Sequence, residues 1–318
     1  MRGRSPDLRH LLLFIVFSVL VEGASGFRVC SYNLQNFTAA KASNRRMLHT
    51  LSRVVYRCDI CLLQHVVDPN GAAVKALIAK LNAYDASRFK SVSSKGLGKT
   101  PGDMQQYVFI YRTRSFNLTG QHQYEGRPFL RPPFVVRFQS SKAHIKEFIL
   151  VPLHSDQDQA VQEIDWLYDV FEDVSVRWNN TNVMFLGDFH ASCGYVTRDD
   201  RKNIRLYTNN SFSWLIGETV DSTVKDSTNC AYDRIVVHGQ PFLMAIEPYS
   251  GQVYNFGRFH KLSRTMVLEV SDHYPVMVQL KSSAPRPPPS GHASADPPRC
   301  LCDRSVLPAG SVIVCFKR

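Results

Sequence analysis

Four apolar runs constrain this chain more than anything else in it, because acidic or imidazole side chains sit beside each of them. They are residues 148–154 (FILVPLH), 183–190 (VMFLGDFH), 231–237 (AYDRIVV) and 270–276 (VSDHYPV). Continuous apolar stretches of this length, bounded by turn residues, read as strands buried on both faces. Polar groups at the ends of such strands are held rigidly by the sheet and converge on one place, as chemistry requires. His154, Asp188, His190, Asp233, Asp272 and His273 are therefore the candidate site residues.

The remaining pattern alternates strands with amphipathic helices. Residues 27–34 read as a strand, and Met47, Leu48, Leu51, Val54 and Val55 then fall at helical spacing. Strands are expected over 60–67, 107–111 and 134–138, with helices over 72–81 and 160–178. Strand and helix in alternation predict an α/β layered architecture. At 318 residues and 44% hydrophobic, the chain can bury one large core.

Both ends differ from this pattern. Arg2, Arg4 and Arg9 precede an apolar stretch over 11–21 and a small-residue site at Ala24, Ser25 and Gly26. That layout predicts a cleaved secretory leader over 1–26 rather than a membrane span. Export gives meaning to the sequons at Asn36, Asn117, Asn179 and Asn209. From 283 to 318 the chain turns proline-rich and then carries Cys300, Cys302 and Cys315. Pro308 and Gly310 break its last apolar stretch, which reads as a tail rather than a lipid-anchor signal. The domain between is 27–282.

Eight cysteines in an exported chain imply disulfides. Cys193 and Cys230 are the expected pair, since each adjoins a site-bearing strand. Cys30 and Cys61 lie inside strand patterns and read as buried reduced thiols, with Cys58 beside them. The formal charge of +11 suits a polyanionic partner without identifying one.

The strings 31–37 (SYNLQNF), 58–60 (CDI), 151–154 (VPLH), 187–189 (GDF), 227–236 (STNCAYDRIV) and 271–276 (SDHYPV) resemble, in order and spacing, the deoxyribonuclease I family over residues 27–281. The Phe27-Arg28 start and 66–68 (VVD) lean toward its like-1 branch. The resemblance implies a four-layer sandwich, two packed β-sheets flanked by helices, with the active site at one end. It also implies a divalent cation, magnesium or calcium, and hydrolysis of DNA to products ending in 5′-phosphate.

Hydrolysis of a phosphodiester needs a base for water, an acid for the leaving oxygen and positive charge facing the phosphate. By resemblance His273 is the base, oriented by Asp233, and His154 is the acid. Asp188 and Asp272 hold the metal or the histidines, Asn33 and Arg131 contact phosphate, and Asp221 with Thr223 forms a structural-calcium loop. Three positions depart from the family. His65 stands where a glutamate binds the cation, Gln105 where a glutamate pairs with the acid histidine, and His190 where the family has asparagine. Asp103 offers a carboxylate two residues before Gln105. Val67 and Asp103 also replace the arginine and tyrosine that lie in the DNA minor groove.

Imidazole at positions 65 and 190 points to manganese or zinc beside Asp188, because magnesium favours oxygen ligands. Two functions follow: a secreted metal-dependent endonuclease with a retuned metal site, or a catalytically silent member of the fold that binds nucleic acid or a protein partner.

Overall fold

Strands that are apolar on both faces need cover on both sides, and the structure supplies it with two stacked sheets between two helical layers. The computed structural model describes residues 26–84 and 88–283. Apart from Gly26 and Ser283, the expected leader and tail lie outside the described residues, as do Cys300, Cys302 and Cys315. Among the described residues no helix is long and apolar enough to cross a membrane.

Along the chain come β1 (Phe27–Phe37), α1 (Ala39–Ser43), α2 (Arg45–Tyr56), β2 (Ile60–Val66), α3 (Ala72–Tyr84), β3 (Phe89–Ser93), β4 (Gln106–Arg112), β5 (Asn117–Gln123), β6 (Phe134–Gln139) and β7 (Glu147–His154). There follow α4 (Ala160–Trp178), β8 (Val183–Asp188), α5 (Arg205–Thr208), β9 (Phe212–Trp214), β10 (Asp233–His238), α6 (Gln240–Ala245), β11 (Gln252–Val253), α7 (Phe256–His260), α8 (Arg264–Val270) and β12 (Val276–Leu280). One six-stranded sheet has the order β11-β12-β1-β2-β4-β3, the other β5-β6-β7-β8-β10-β9.

Alternation along each strand builds the layers. Cys30, Tyr32 and Leu34 of β1 and Cys61 and Leu63 of β2 point to α2 and α3. Val29, Ile60 and Leu62 point the other way, into a core between the sheets with Phe148, Leu150, Met184, Leu186, Ile235 and Val237. The outer faces of β7, β8 and β10 carry Ile149, Val151, Leu153, Phe185 and Val236, which α4 covers with Ile164, Leu167, Val170 and Val174. The four-layer α/β sandwich is the architecture that the resemblance implies.

Two local expectations are corrected. The run 270–276 is not a strand: α8 ends at Val270 and β12 begins at Val276, so Asp272 and His273 sit on the loop between. Cys30 is not a free thiol but is bonded to Cys58. Cys30 and Cys61 are register partners on adjacent strands, yet the turn after α2 brings Cys58 under Cys30 at a Cα separation of 6.0 Å. Cys61 stays free and buried. Cys193 and Cys230 are bonded and close 37 residues of chain, worth ~4 kcal/mol in the loop-entropy account.

Gly187 on β8 packs against its neighbour strand β7 and against Gln64 of the other sheet. Its φ is +143°, and a Cβ there would lie 2.0 Å from the Leu153 carbonyl oxygen and 2.6 Å from Gln64 Nε2. Gln64 bridges the sheets at this point: its Nε2 donates to Leu153 O (2.6 Å) and its Oε1 accepts from Asp188 N (2.9 Å). Gly187→Ala combines a strained conformation with a backbone clash and should cost about 3 kcal/mol or more. Urea unfolding checks this; a variant within ~0.5 kcal/mol of the parent, the range of neutral surface changes, would contradict it.

Candidate active site

Strand register lines up the first three groups. His154 on β7 is the cross-strand partner of Asp188 on β8, which is in turn the partner of Asp233 on β10. The other sheet brings Asn33 and Gln64, partners across β1 and β2. The loop before β12 adds His273. Ser271 ties it down: its Oγ accepts from His273 N (3.0 Å) and its hydroxyl donates to Asn33 O (2.6 Å).

Asp188 is the hub. Its Oδ2 accepts from Asn33 Nδ2 at 2.9 Å, and its Oδ1 accepts from His190 N at 3.2 Å. Three imidazole Nε2 atoms stand around that same Oδ2, those of His190 at 3.6 Å, His273 at 3.7 Å and His154 at 3.8 Å. These separations exceed hydrogen-bond length and leave a gap that an ion or water fits. Burial alone would raise the Asp188 carboxyl, but His190, His273, His154 and the Asn33 donor outweigh it and hold the group below the usual carboxylate range.

Each histidine has its own environment. His273 Nδ1 bonds Asp233 Oδ2 at 2.7 Å. Burial opposes charge on His273, but Asp233 and Asp188 prevail and lift it from 6.5 to about 10. Burial and the nearby Asp188 also raise Asp233, so this buried pair holds a proton between its members. His154 is neutral: burial, with Arg131 second among the unfavourable influences, drives it well below its ordinary value despite Asp188. Behind it, Nδ1 meets Gln105 Oε1 at 2.8 Å. Asp103 is turned away, its Oδ2 accepting from Thr100 Oγ1 at 2.7 Å.

His65 packs its ring 5.5 Å from that of His154, and burial, then Arg131, lowers it from 6.5 to about 4. His65 and His190 have left-handed backbones, with φ of 55° and 49°. Asparagine and histidine are among the few residues that enter that region readily. At His65 the conformation forms the bulge that shifts the register between β2 and β4.

Two groups of side chains offer metal-ligand spacing among the described residues: His154, Asp188 and His190, and Asp188, Asp233 and His273. The donor set fits a divalent cation, since Asp188 carries charge into a buried cluster and Asp233 Oδ1 is buried without a partner. Other expected residues border these groups, Asp272 Oδ1 lying 4.0 Å from His273 Nε2. Asp272 Oδ2 pairs with Lys225 Nζ at 3.0 Å. Asp221 Oδ1 accepts from Thr223 N, Thr223 Oγ1 and Cys230 N, knitting a loop against the second disulfide. Arg131 Nη1 donates to His154 O at 3.1 Å.

Several supporting residues escaped the sequence reading. Gln64 had one visible signal, an amide inside an apolar strand. Tyr107, whose hydroxyl accepts from His154 N and donates to Arg131 O, and Ser155, whose Oγ meets His190 Nδ1 at 3.0 Å, gave none.

A sandwich of two mixed sheets with paired histidines and carboxylates at one end defines a phosphoesterase class. The match is specific: residues 30–273 fit the Endonuclease/Exonuclease/phosphatase family. Deoxyribonuclease gamma of Rattus norvegicus is 39% identical over 88% of this chain and 91% of its own length. Deoxyribonuclease-1 of Oryctolagus cuniculus is 39% identical over 85% and 98%, and human Deoxyribonuclease-1-like 1 is 36% identical over 86% and 91%. The like-1 branch is thus not singled out. Among solved structures, an endonuclease/exonuclease/phosphatase from Bacteroides vulgatus superimposes with a TM-score of 0.56 at 14% identity, over 81% of this chain and all of that one. The human Nocturnin catalytic domain gives 0.57 at 12% identity, over 81% and 95%. The chain belongs to the deoxyribonuclease I family within the endonuclease/exonuclease/phosphatase class.

The shifted histidines set the pH dependence of the metal-free fold. His273 is raised to about 10, so its contribution is complete below ~6.5 and is lost as pH rises from there through about 10. His65 is lowered to about 4, so protonating it costs stability as pH falls from ~6.5 toward 4. Denaturation in EDTA across pH should show the alkaline decline flattened in His273→Gln and the acid decline flattened in His65→Gln. Curves parallel to wild type would contradict both assignments.

Proposed function

We propose that this chain is an exported, divalent-cation-dependent endonuclease that hydrolyses DNA and leaves 5′-phosphate ends. One observation carries the reading: the His273–Asp233 pair and His154 converge on Asp188 from two strands and a loop, in a chain 36–39% identical to proteins named deoxyribonucleases. Water gives its proton to His273 Nε2 once that nitrogen has lost its own, with Asp233 orienting the ring from Nδ1. The bond from phosphorus to the 3′ oxygen breaks, and phosphate stays on the 5′ side. The departing oxygen takes a proton from His154 Nε2, whose protonated form an anionic phosphate beside it favours, while Arg131 adds positive charge at the rim. Asp188 would hold a divalent cation, which when bound would supply charge for the phosphate oxygens; Asn33 positions that carboxylate through its hydrogen bond. Magnesium or calcium is the family's choice, and the imidazoles of His65 and His190 favour manganese or zinc.

Export is supported by the leader pattern, by the two disulfides and by exposed Asn36, Asn117 and Asn179, with Asn209 half-buried. The loop of Asp221 and Thr223 remains the proposed structural-calcium site.

The second reading is a silent scaffold that binds nucleic acid or a protein. Gln105 favours it, because an amide behind His154 cannot stabilise an imidazolium by charge as a carboxylate would. Plasmid nicking across magnesium, calcium, manganese and zinc separates the two. Turnover that falls ~10²–10⁴-fold in His154→Ala and in His273→Ala supports the enzyme. No nicking with any metal, or nicking indifferent to both substitutions, selects the scaffold. Salt-insensitive binding to DNA would then point to a protein partner.

Asp233 also sets when His273 can accept a proton. Removing its charge in Asp233→Asn lowers the pKa of His273, so the rising limb of the pH–rate profile should move to lower pH while the maximal rate falls by up to ~10⁴-fold. A limb that stays in place would show that another group titrates in that step.

A further inference from the structure

The backs of the two histidines beside Asp188 determine which of their nitrogens carries a lone pair. Gln105 Oε1 has no hydrogen, so at 2.8 Å it fixes the His154 proton on Nδ1 and leaves the lone pair on Nε2. At His190, Ser155 Oγ lies 3.0 Å from Nδ1 and can accept its proton, while the Gln157 amide, 3.4 Å from Nε2, has to give way when that nitrogen takes an ion. A proton on Nδ1 also leaves the His190 lone pair on Nε2. Both lone pairs belong to the group in which His154, Asp188 and His190 bring ligand atoms within 4.8 Å of one another. Their Nε2 to Oδ2 separations are 3.8 and 3.6 Å. The edge of a tetrahedron around an ion with bonds of ~2.0–2.1 Å is about 3.4 Å, so small rotations of the two rings close the site.

We propose that His154, Asp188 and His190 form a transition-metal site of the zinc, cobalt or manganese class, which His190 completes. The proposal deepens the metal assignment above and places His65 outside it, as a ring packed on His154. Two imidazoles and one carboxylate suit these ions and leave positions open for water or a phosphate oxygen. An oxygen behind each ligand ring is the outer arrangement that fixes metal-binding histidines. Asn33, donating to Asp188 Oδ2 at 2.9 Å, holds the third ligand in place. An ion on His154 Nε2 takes the lone pair that a proton would otherwise use. His154 then serves as a ligand rather than an acid, and the charge facing the leaving oxygen is that of the ion. The Gln105 and His190 substitutions thus act together: one sets the lone pair of His154, the other adds the second imidazole.

The test is uptake of Co²⁺ and Zn²⁺ by the full exported chain, followed by calorimetry and by the visible absorption of bound Co²⁺. Wild type should take one ion at this site. His190→Asn should lose more affinity than the ~10–100-fold that removal of an outer hydrogen-bond partner costs, and Gln105→Leu should lose affinity within that range. No uptake by wild type, or His190→Asn binding as tightly as wild type, overturns the proposal. If His190→Asn fails to fold by circular dichroism, Gln105→Leu and Ser155→Ala decide, and wild-type affinity in both overturns it. Uptake by a chain that nicks no DNA keeps this site and removes the nuclease reading. Nicking without uptake does the reverse.

Discussion

The structure turns on the contact where Gln64 reaches from one sheet to the other above Gly187. A buried carboxylate such as Asp188 is tolerated only when donors surround it, and this contact fixes the backbone that carries it among them. Gln64 satisfies the Asp188 backbone N–H and the Leu153 carbonyl together, which ties β2 of one sheet to β7 and β8 of the other. Glycine at 187 is then required by space, since any side chain would strike the Leu153 carbonyl. With the sheets tied here, Asn33 arrives within hydrogen-bond distance of Asp188 from the opposite sheet.

From that anchor the electrostatics of the site follow. The Asp188 charge lies near three imidazoles, and it lifts His273 together with Asp233, which stands directly behind that ring. His154 has a neutral amide at the equivalent place, and burial decides its state. One carboxylate therefore sits beside a cationic histidine and a neutral one. The difference comes from what touches Nδ1 rather than from distance to Asp188, which is nearly the same for both.

The departures from the family pattern are connected in space. His65, His154 and His190 form a row of rings, 5.5 Å and 5.9 Å between centroids. A left-handed backbone at His65 and His190 aims both side chains toward this row. Such conformations cost of order 1–3 kcal/mol each and persist where the surroundings enforce them. Here the surroundings are the bulge between β2 and β4 and the Asp188 Oδ1 bond to His190 N.

The sequence by itself determined the layers, because period and burial are local properties. Runs apolar on both faces require cover on both sides, and the helical spacing of Met47, Leu51, Val54 and Val55 supplies it for one sheet. It also picked out His154, Asp188, Asp233 and His273 as polar residues beside buried strands. Edge strand β5, with its polar alternation and half-exposed pattern, gave no such signal. The Cys30–Cys58 bond could not be read either, since the turn that brings Cys58 beneath β1 is a three-dimensional fact. Only the tertiary structure decided which residue stands behind each histidine. Those partners come from segments 35 to 49 residues away, and no periodicity links side chains that meet across sheets and loops. The proton on each ring is set by those partners, so the chemistry of the site was settled by packing.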